Sequence, residues 1–230
     1  MSANELNVVL VHGAWADGSS WSKVIIGLRS KGIRAVTVSL PLTTLSDDVA
    51  ALDRILERVE GPVVLAGHAY AGAVIGATRN PKVKALVYVT ALAPTEAETV
   101  ADIFYRNEPH PKAPKLAPDN HGLIWLPEAA FAEAFAQNAS QDEQAVLAAV
   151  QRPIAPACIS IPVGRPLWQD VPTWYLLAEQ DRMIVPETQH FMAARMHARV
   201  SAHPVDHTPS VTAPDFVVDL IGKAARESRA

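Results

Sequence analysis

Residues 65–76 read Leu65-Ala66-Gly67-His68-Ala69-Tyr70-Ala71-Gly72-Ala73-Val74-Ile75-Gly76. An apolar strand that passes through a small-residue turn into a helix matches the Gly-x-Ser-x-Gly pattern, whose central residue is strained and exposed above a sheet. Alanine stands at position 69, where the pattern has serine. A methyl group cannot attack a substrate. The stretch therefore predicts a nucleophile elbow that lacks the nucleophilic oxygen.

Around this stretch, short apolar runs alternate with helical patterns, which predicts an α/β fold with a mainly parallel sheet of about six strands flanked by helices. The predicted strands are 7–11, 35–38, 63–66, 85–89, 173–178 and 199–203. The predicted helices are 21–30, 46–60 with Ser46 as its cap, 70–78, 186–196 and 214–225. Between strands four and five the alternation stops.

The chain length and composition predict one domain, 1–230, with residues 95–167 inserted as a helical cap. Within the cap, helices are expected near 128–137 and 141–150. The net charge of −4 without a basic stripe argues against nucleic acid as a partner. Neither a secretion signal nor a bilayer-spanning run is recognised, so we expect a cytoplasmic protein without a membrane partner. A homodimer is left open.

Two loops that follow strands carry groups suited to proton transfer. Asp181 lies just beyond strand 173–178, where an acid can hold a histidine in the correct tautomer, and we prefer it to Glu179. His207 follows the last strand and is the expected general base, in preference to His203. Alone, either residue is explained by helix capping or solvent exposure. The order of position 69, acid and histidine favours a joint catalytic role.

The loop after strand one reads His12-Gly13-Ala14-Trp15. Backbone N–H groups at Ala14 and Tyr70 would stabilise a developing oxyanion, although a simple turn also explains the loop. We expect a small-molecule substrate in an apolar pocket. The substrate-binding candidates are Trp15, His68 and Trp125, with packing at the helix start as the other explanation of His68.

No cofactor is expected, because the chain has no Gly-x-Gly-x-x-Gly motif. No metal is expected either, because its histidines are scattered outside any metal-binding spacing. Cys158 stands alone, which excludes an intrachain disulfide. Its apolar neighbours favour a buried structural residue.

In these motifs the chain resembles the α/β-hydrolase superfamily, and in particular its small esterase-like proteins and its methylesterase and hydroxynitrile lyase relatives. The similarity extends over nearly the whole chain and includes the Val-His-Gly-Ala-Trp start. It implies catalytic roles for Asp181 and His207, an oxyanion hole at Ala14 and Tyr70, and a nucleophile at position 69. The chain departs from the family pattern at Ala69 and, more mildly, at Ala71.

Three explanations of Ala69 stand side by side. The residue is a laboratory substitution that removed the serine of a small-molecule carboxylic ester hydrolase. Alternatively it is native, and His207 with Asp181 forms a base dyad for serine-independent chemistry, such as that of lyases or cofactor-free enzymes. The third explanation is a non-catalytic binding protein that kept the pocket.

Overall fold

The computed structural model describes residues 6–228. Within that range one six-stranded parallel sheet has the order β2-β1-β3-β4-β5-β6. Its strands are β1 (Asn7–Val11), β2 (Ala35–Val38), β3 (Val63–His68), β4 (Val83–Val89), β5 (Thr173–Ala178) and β6 (Arg199–His203). The α/β fold predicted from the alternating pattern is thereby confirmed.

Helices connect successive strands and cover both faces of the sheet. They are α1 (Ser22–Ser30), α2 (Leu45–Arg58), α3 (Ala71–Ala77), α4 (Val100–Phe104), α5 (Glu128–Ala130), α6 (Gln141–Val150), α7 (Pro186–Arg195), α8 (Pro209–Thr212) and α9 (Pro214–Glu227). A π-helical turn, Phe131–Phe135, continues α5. Residues 90–172, between β4 and β5, form the inserted segment and contain α4 to α6. Nowhere in residues 6–228 is there a helix with the length and apolar character needed to span a bilayer.

The sheet is buried on both faces, as alternate residues of β1 show. Val9 and Val11 pack into the layer formed with α2, α3, α7 and the inserted segment, whereas Val8 and Leu10 pack into the layer formed with α1 and α9. Successive strand side chains point to opposite faces, so a strand covered on both sides needs an uninterrupted apolar run. Residues 8–11 of β1, all apolar and buried, meet that need.

Several boundaries differ from the sequence predictions. Helix α2 is capped by Thr44, whose extended backbone lets its Oγ1 accept from the amide of Asp47 at 3.1 Å; the predicted cap, Ser46, lies inside the helix. The helix predicted over 128–137 is a single α turn followed by the π turn, because the amide of Ala136 donates to the carbonyl of Phe131. The short helices α4 and α8 had no sequence prediction.

Candidate active site

Position 69 occupies a sharp turn between β3 and α3, at the carboxyl end of the sheet. Ala69 has φ of 49°, in the left-handed region that costs a non-glycine residue about 1 kcal/mol or more. Its carbonyl accepts from the amides of Gly72 at 3.1 Å and Leu92 at 2.9 Å. These bonds hold the turn in the conformation that a nucleophile elbow requires, although the side chain is a methyl group.

Two glycines permit this turn by letting backbones approach closely. A Cβ at Gly13 would lie 2.9 Å from the carbonyl oxygen of His68 and 3.0 Å from the Cβ of Ala69. A Cβ at Gly67 would lie 2.9 Å from the carbonyl oxygen of Ala71. The two 2.9 Å distances to carbonyl oxygens are shorter than real side chains tolerate. The loop after β1 and the elbow are therefore packed backbone against backbone.

The predicted acid and base are in direct contact. Nδ1 of His207 donates to Oδ2 of Asp181 at 2.8 Å, and both side chains are buried. An ionised carboxylate only accepts, so this bond places the imidazole proton on Nδ1 and leaves Nε2 as the basic nitrogen. The pair has the geometry of a general base held in one tautomer.

Asp181 is itself fixed by three donors. Its Oδ1 accepts from the amides of Met183 at 2.8 Å and Ile184 at 2.9 Å, and its Oδ2 also accepts from Nε2 of Gln189 at 2.9 Å. Four hydrogen bonds, counting that from His207, satisfy the carboxylate. Gln189 lies on α7, and nothing in the sequence pattern singled it out.

His68 fixes the backbone of His207, the predicted general base, and does not line the cavity beside Ala69. It is 1% exposed, and its Nε2 donates to the carbonyl of His207 at 2.7 Å. The hydroxyl of Thr90 donates to the same carbonyl at 3.0 Å. Burial, followed by the neighbouring His207, lowers the pKa of His68 to about 3. The structure thus gives His68 a positioning contact where substrate binding was expected.

The predicted oxyanion donors come from two segments, Ala14 from the loop after β1 and Tyr70 from the elbow itself. Ala14 and Tyr70 both line the cavity beside Ala69, and within residues 6–228 neither of their amides donates to a backbone carbonyl. The loop of Ala14 is fixed through Trp15, whose amide donates to the carbonyl of Arg152 and whose Nε1 donates to the carbonyl of Ile124. Two unengaged amides at such a site are suited to a developing negative oxygen.

The Tyr70 side chain points away from the cavity into a buried polar cluster. Its hydroxyl donates to Oδ2 of Asp48 at 2.7 Å, and the amide of Leu42 donates to Oδ1 at 2.7 Å. Sγ of Cys158 lies 3.8 Å from Oδ2. Burial raises the pKa of the Cys158 thiol to about 12, which agrees with a structural residue and not a nucleophile.

One cavity, of about 60 Å³, joins these groups. Ala14, Trp15, Ala69, Tyr70 and His207 all line it, together with apolar residues of the inserted segment. Among the described residues, no aspartate, glutamate, lysine or arginine lines it, so His207 faces an apolar pocket.

Trp125 does not belong to this cavity, contrary to the sequence expectation. Its side chain is 45% exposed, and its Nε1 donates to Oδ2 of Asp119 at 3.1 Å on the outside of the inserted segment. A phenylalanine of the inserted segment, Phe135, packs on the predicted base His207 instead. Its ring centroid lies 5.2 Å from that of His207 and 6.4 Å from that of Trp15. Phe135 ends the π-helical turn, a feature often found at functional sites.

The His207 loop holds the end of this turn. The hydroxyl of Thr208 donates to the carbonyl of Phe135 at 2.6 Å, and the amide of Asn138 donates to Oδ2 of the buried Asp206 at 2.9 Å. The inserted segment is thereby tied to the loop that carries His207. No cluster of three or more potential metal ligands occurs in the described part of the chain.

The fold and the site define an α/β hydrolase, and a family model described as the alpha/beta hydrolase family matches residues 8–220. The chain belongs to this family. A carbendazim hydrolyzing esterase of Nocardioides sp. (strain SG-4G) is 32% identical over 112 residues, an alignment that spans 41% of this chain and 45% of that protein. The alpha/beta hydrolase nvfD of Aspergillus novofumigatus is 25% identical over 96% of this chain and 97% of its own length.

Solved structures show the same fold over nearly the full chain. Polyneuridine aldehyde esterase superposes with a TM-score of 0.77 at 18% identity, covering 96% of this chain and 98% of the other. A pyrethroid hydrolase from Sphingobium faniae gives 0.75 at 19% identity, with the same coverage. A methylesterase from Arabidopsis gives 0.80 at 13% identity, covering 96% and 99%.

Proposed function

We propose that this chain carries the site of a small-molecule carboxylic ester hydrolase whose nucleophile is missing at position 69. One observation carries the proposal: Ala69 keeps the left-handed φ of an elbow and lines the same cavity as His207. A serine at this position would direct its hydroxyl into a pocket that already holds a base and two oxyanion donors. With alanine, the chain binds an ester and does not form an acyl-enzyme.

The mechanism follows from the roles of the groups around this position. With serine present, Nε2 of His207 takes the hydroxyl proton as the oxygen attacks the ester carbonyl, and Asp181 stabilises the resulting imidazolium. The amides of Ala14 and Tyr70 donate to the oxyanion. His207 then protonates the leaving alcohol, and a water molecule activated by the same base releases the acid. Residues 95–167, the proposed cap, close the apolar side of the pocket.

Restoring serine tests this directly. We expect Ala69→Ser to raise the turnover of 4-nitrophenyl acetate and butyrate by several orders of magnitude over the chain with Ala69, as removal of a triad serine elsewhere lowers it. Ala69→Gly is the matched control, since it also changes the elbow residue but supplies no hydroxyl. A folded Ala69→Ser chain with no more ester turnover than Ala69→Gly would refute the hydrolase proposal.

A second function is favoured by the intact hydrogen bonding of the His207–Asp181 pair. Four donors satisfy Asp181, so the dyad is complete without any serine. The pair is suited to remove a proton from a substrate carbon or oxygen in serine-independent chemistry. Replacing His207 with alanine in the Ala69 chain separates this function from simple binding. Any activity of the Ala69 chain should vanish in that variant, whereas ligand binding without turnover in both chains would indicate a binding protein.

A further inference from the structure

A second cavity, of about 390 Å³, adjoins the one at the elbow. Both cavities are lined by Phe104, Tyr105, Leu116 and Met183. Three of these residues belong to the inserted segment, and Met183 follows Asp181 in the loop of the catalytic acid. The shared lining makes the two spaces neighbouring compartments with these four side chains between them, and a ligand anchored beside Ala69 would have to pass these side chains to reach the second compartment.

The two compartments differ in charge. The first is apolar apart from the candidate catalytic groups, whereas the second is lined by Lys115 and by Asn107. The amide nitrogen of Asn107 is engaged, since it donates to the hydroxyl of Thr188 at 2.8 Å. Lys115 is exposed, and within the described residues its ammonium group takes part in no ion pair or hydrogen bond. Its charge is thus available to a ligand that reaches the second compartment.

We infer that the substrate is an ester with an apolar body and a distal carboxylate, the ester lying beside Ala69 and the carboxylate beside Lys115. The identity of the ester group rests on the proposed function; the distal carboxylate rests on the second compartment. Burial of the apolar body supplies most of the affinity. An exposed ion pair adds little affinity, but it fixes which end of the ligand enters first.

The chain with Ala69 allows this to be tested at equilibrium, because the absence of a nucleophile leaves an ester intact. We would measure by calorimetry, at low salt, the affinities of monomethyl adipate, suberate and sebacate, each beside the neutral methyl ester of the monocarboxylic acid of equal chain length. At the best chain length the half-ester should bind about two- to five-fold more tightly than its neutral counterpart. Salt should reduce this preference, because the charge is exposed.

Variants of Lys115 and Lys112 test whether the preference for the half-ester comes from Lys115. Lys115→Gln should abolish the preference for the half-ester, and Lys115→Arg should retain it. Lys112→Gln is the matched control, since Lys112 is also exposed and lines neither compartment; it should change nothing. Equal affinity for both esters at every chain length, or a preference that survives Lys115→Gln, would overturn the inference.

The result can be separated from that of the proposed function. If Ala69→Ser hydrolyses neutral esters while Lys115→Gln leaves binding unchanged, the hydrolase proposal stands and the carboxylate inference fails. If Lys115 controls the binding of half-esters while Ala69→Ser hydrolyses neither ester, the recognition stands and the hydrolase proposal fails.

Discussion

The phenol of Tyr70 donates a 2.7 Å hydrogen bond to the carboxylate of Asp48, which is completely buried at the start of α2. The same carboxylate accepts from the amide of Leu42, a residue with φ of 60°. Tyr70, which follows position 69, is thus hydrogen-bonded to helix α2. This bond holds the backbone of Tyr70, and with it one predicted oxyanion donor.

Removing the Asp48 carboxylate should destabilise the protein. Asp48→Ala leaves the phenol of Tyr70 and the amide of Leu42 without an acceptor in the core, and we expect the free energy of unfolding to fall by about 1–3 kcal/mol. Urea unfolding measures the change. Asp219→Ala is the control, because Asp219 only pairs with Lys31 at 3.0 Å on the surface and should cost less than about 1 kcal/mol. Similar losses in the two variants would show that the buried cluster does not stabilise the fold.

The burial of Asp48 also leads us to expect that the free energy of unfolding depends on pH. Burial, the largest influence, raises the pKa of Asp48 above its ordinary value of 3.8. Because the folded state keeps the proton to higher pH than the unfolded state, the stability associated with Asp48 is greatest below pH 3.8 and declines as the pH rises through the folded pKa. The unfolding free energy of the protein minus that of Asp48→Asn should therefore fall across this range. A flat or rising difference would contradict the raised pKa.

His68 has the opposite pH effect. Its pKa is lowered from 6.5 to about 3, so the folded state holds a neutral imidazole that the unfolded state protonates. The stability linked to His68 is complete above pH 6.5 and is lost as the pH falls toward 3, by up to about 4 kcal/mol. His68→Gln should reduce the acid-side slope of unfolding free energy against pH. His190→Gln, at an exposed position, serves as the control and should leave that slope unchanged.

The bond between His207 and Asp181 should set the tautomer of the base. In Asp181→Asn the amide can still accept from the loop amides, but it can present an N–H toward Nδ1 and so favour the proton on Nε2. In the chain with Ala69, nitrogen NMR of the imidazole should report Nδ1–H before the substitution and Nε2–H after it. In the Ala69→Ser background, the same change should lower kcat about 10³- to 10⁴-fold. Glu179→Gln, two residues earlier and exposed, should do neither.

The sequence predicted the fold well because the patterns that indicate its strands and turns are short and local. The apolar run of β1 and the small residues of the elbow are each contained within about a dozen positions, and the family pattern orders Asp181 and His207 along the chain. The structure brings these two into contact at 2.8 Å, but the comparisons do not test their catalytic roles, which stay predictions.

The remaining contacts of the site depend on tertiary packing that no local pattern shows. Gln189 reaches Asp181 from α7, and Phe135 reaches His207 from a π-helical turn whose sequence looks like an ordinary amphipathic helix. Trp125 illustrates the converse: an aromatic residue in an irregular segment is as well satisfied by a surface hydrogen bond as by a pocket. The close packing of the elbow helix α3, by contrast, follows directly from its small residues.

Substitution of Gly72 tests whether α3 needs small residues to pack closely at the elbow. A Cβ at this position would lie 2.3 Å from the carbonyl oxygen of Leu92 and 2.9 Å from the Cβ of Ala91, so even alanine forces α3 away from the end of β4. We expect Gly72→Ala to lower the free energy of unfolding by about 1–3 kcal/mol, as overpacking does in other cores. Gly164→Ala is the matched control, because a Cβ there meets nothing within 4 Å. If Ala69→Ser restores turnover, adding Gly72→Ala should lower kcat by displacing the elbow. Equal stability of the two alanine variants in urea would show that the close approach of α3 to β4 is not required.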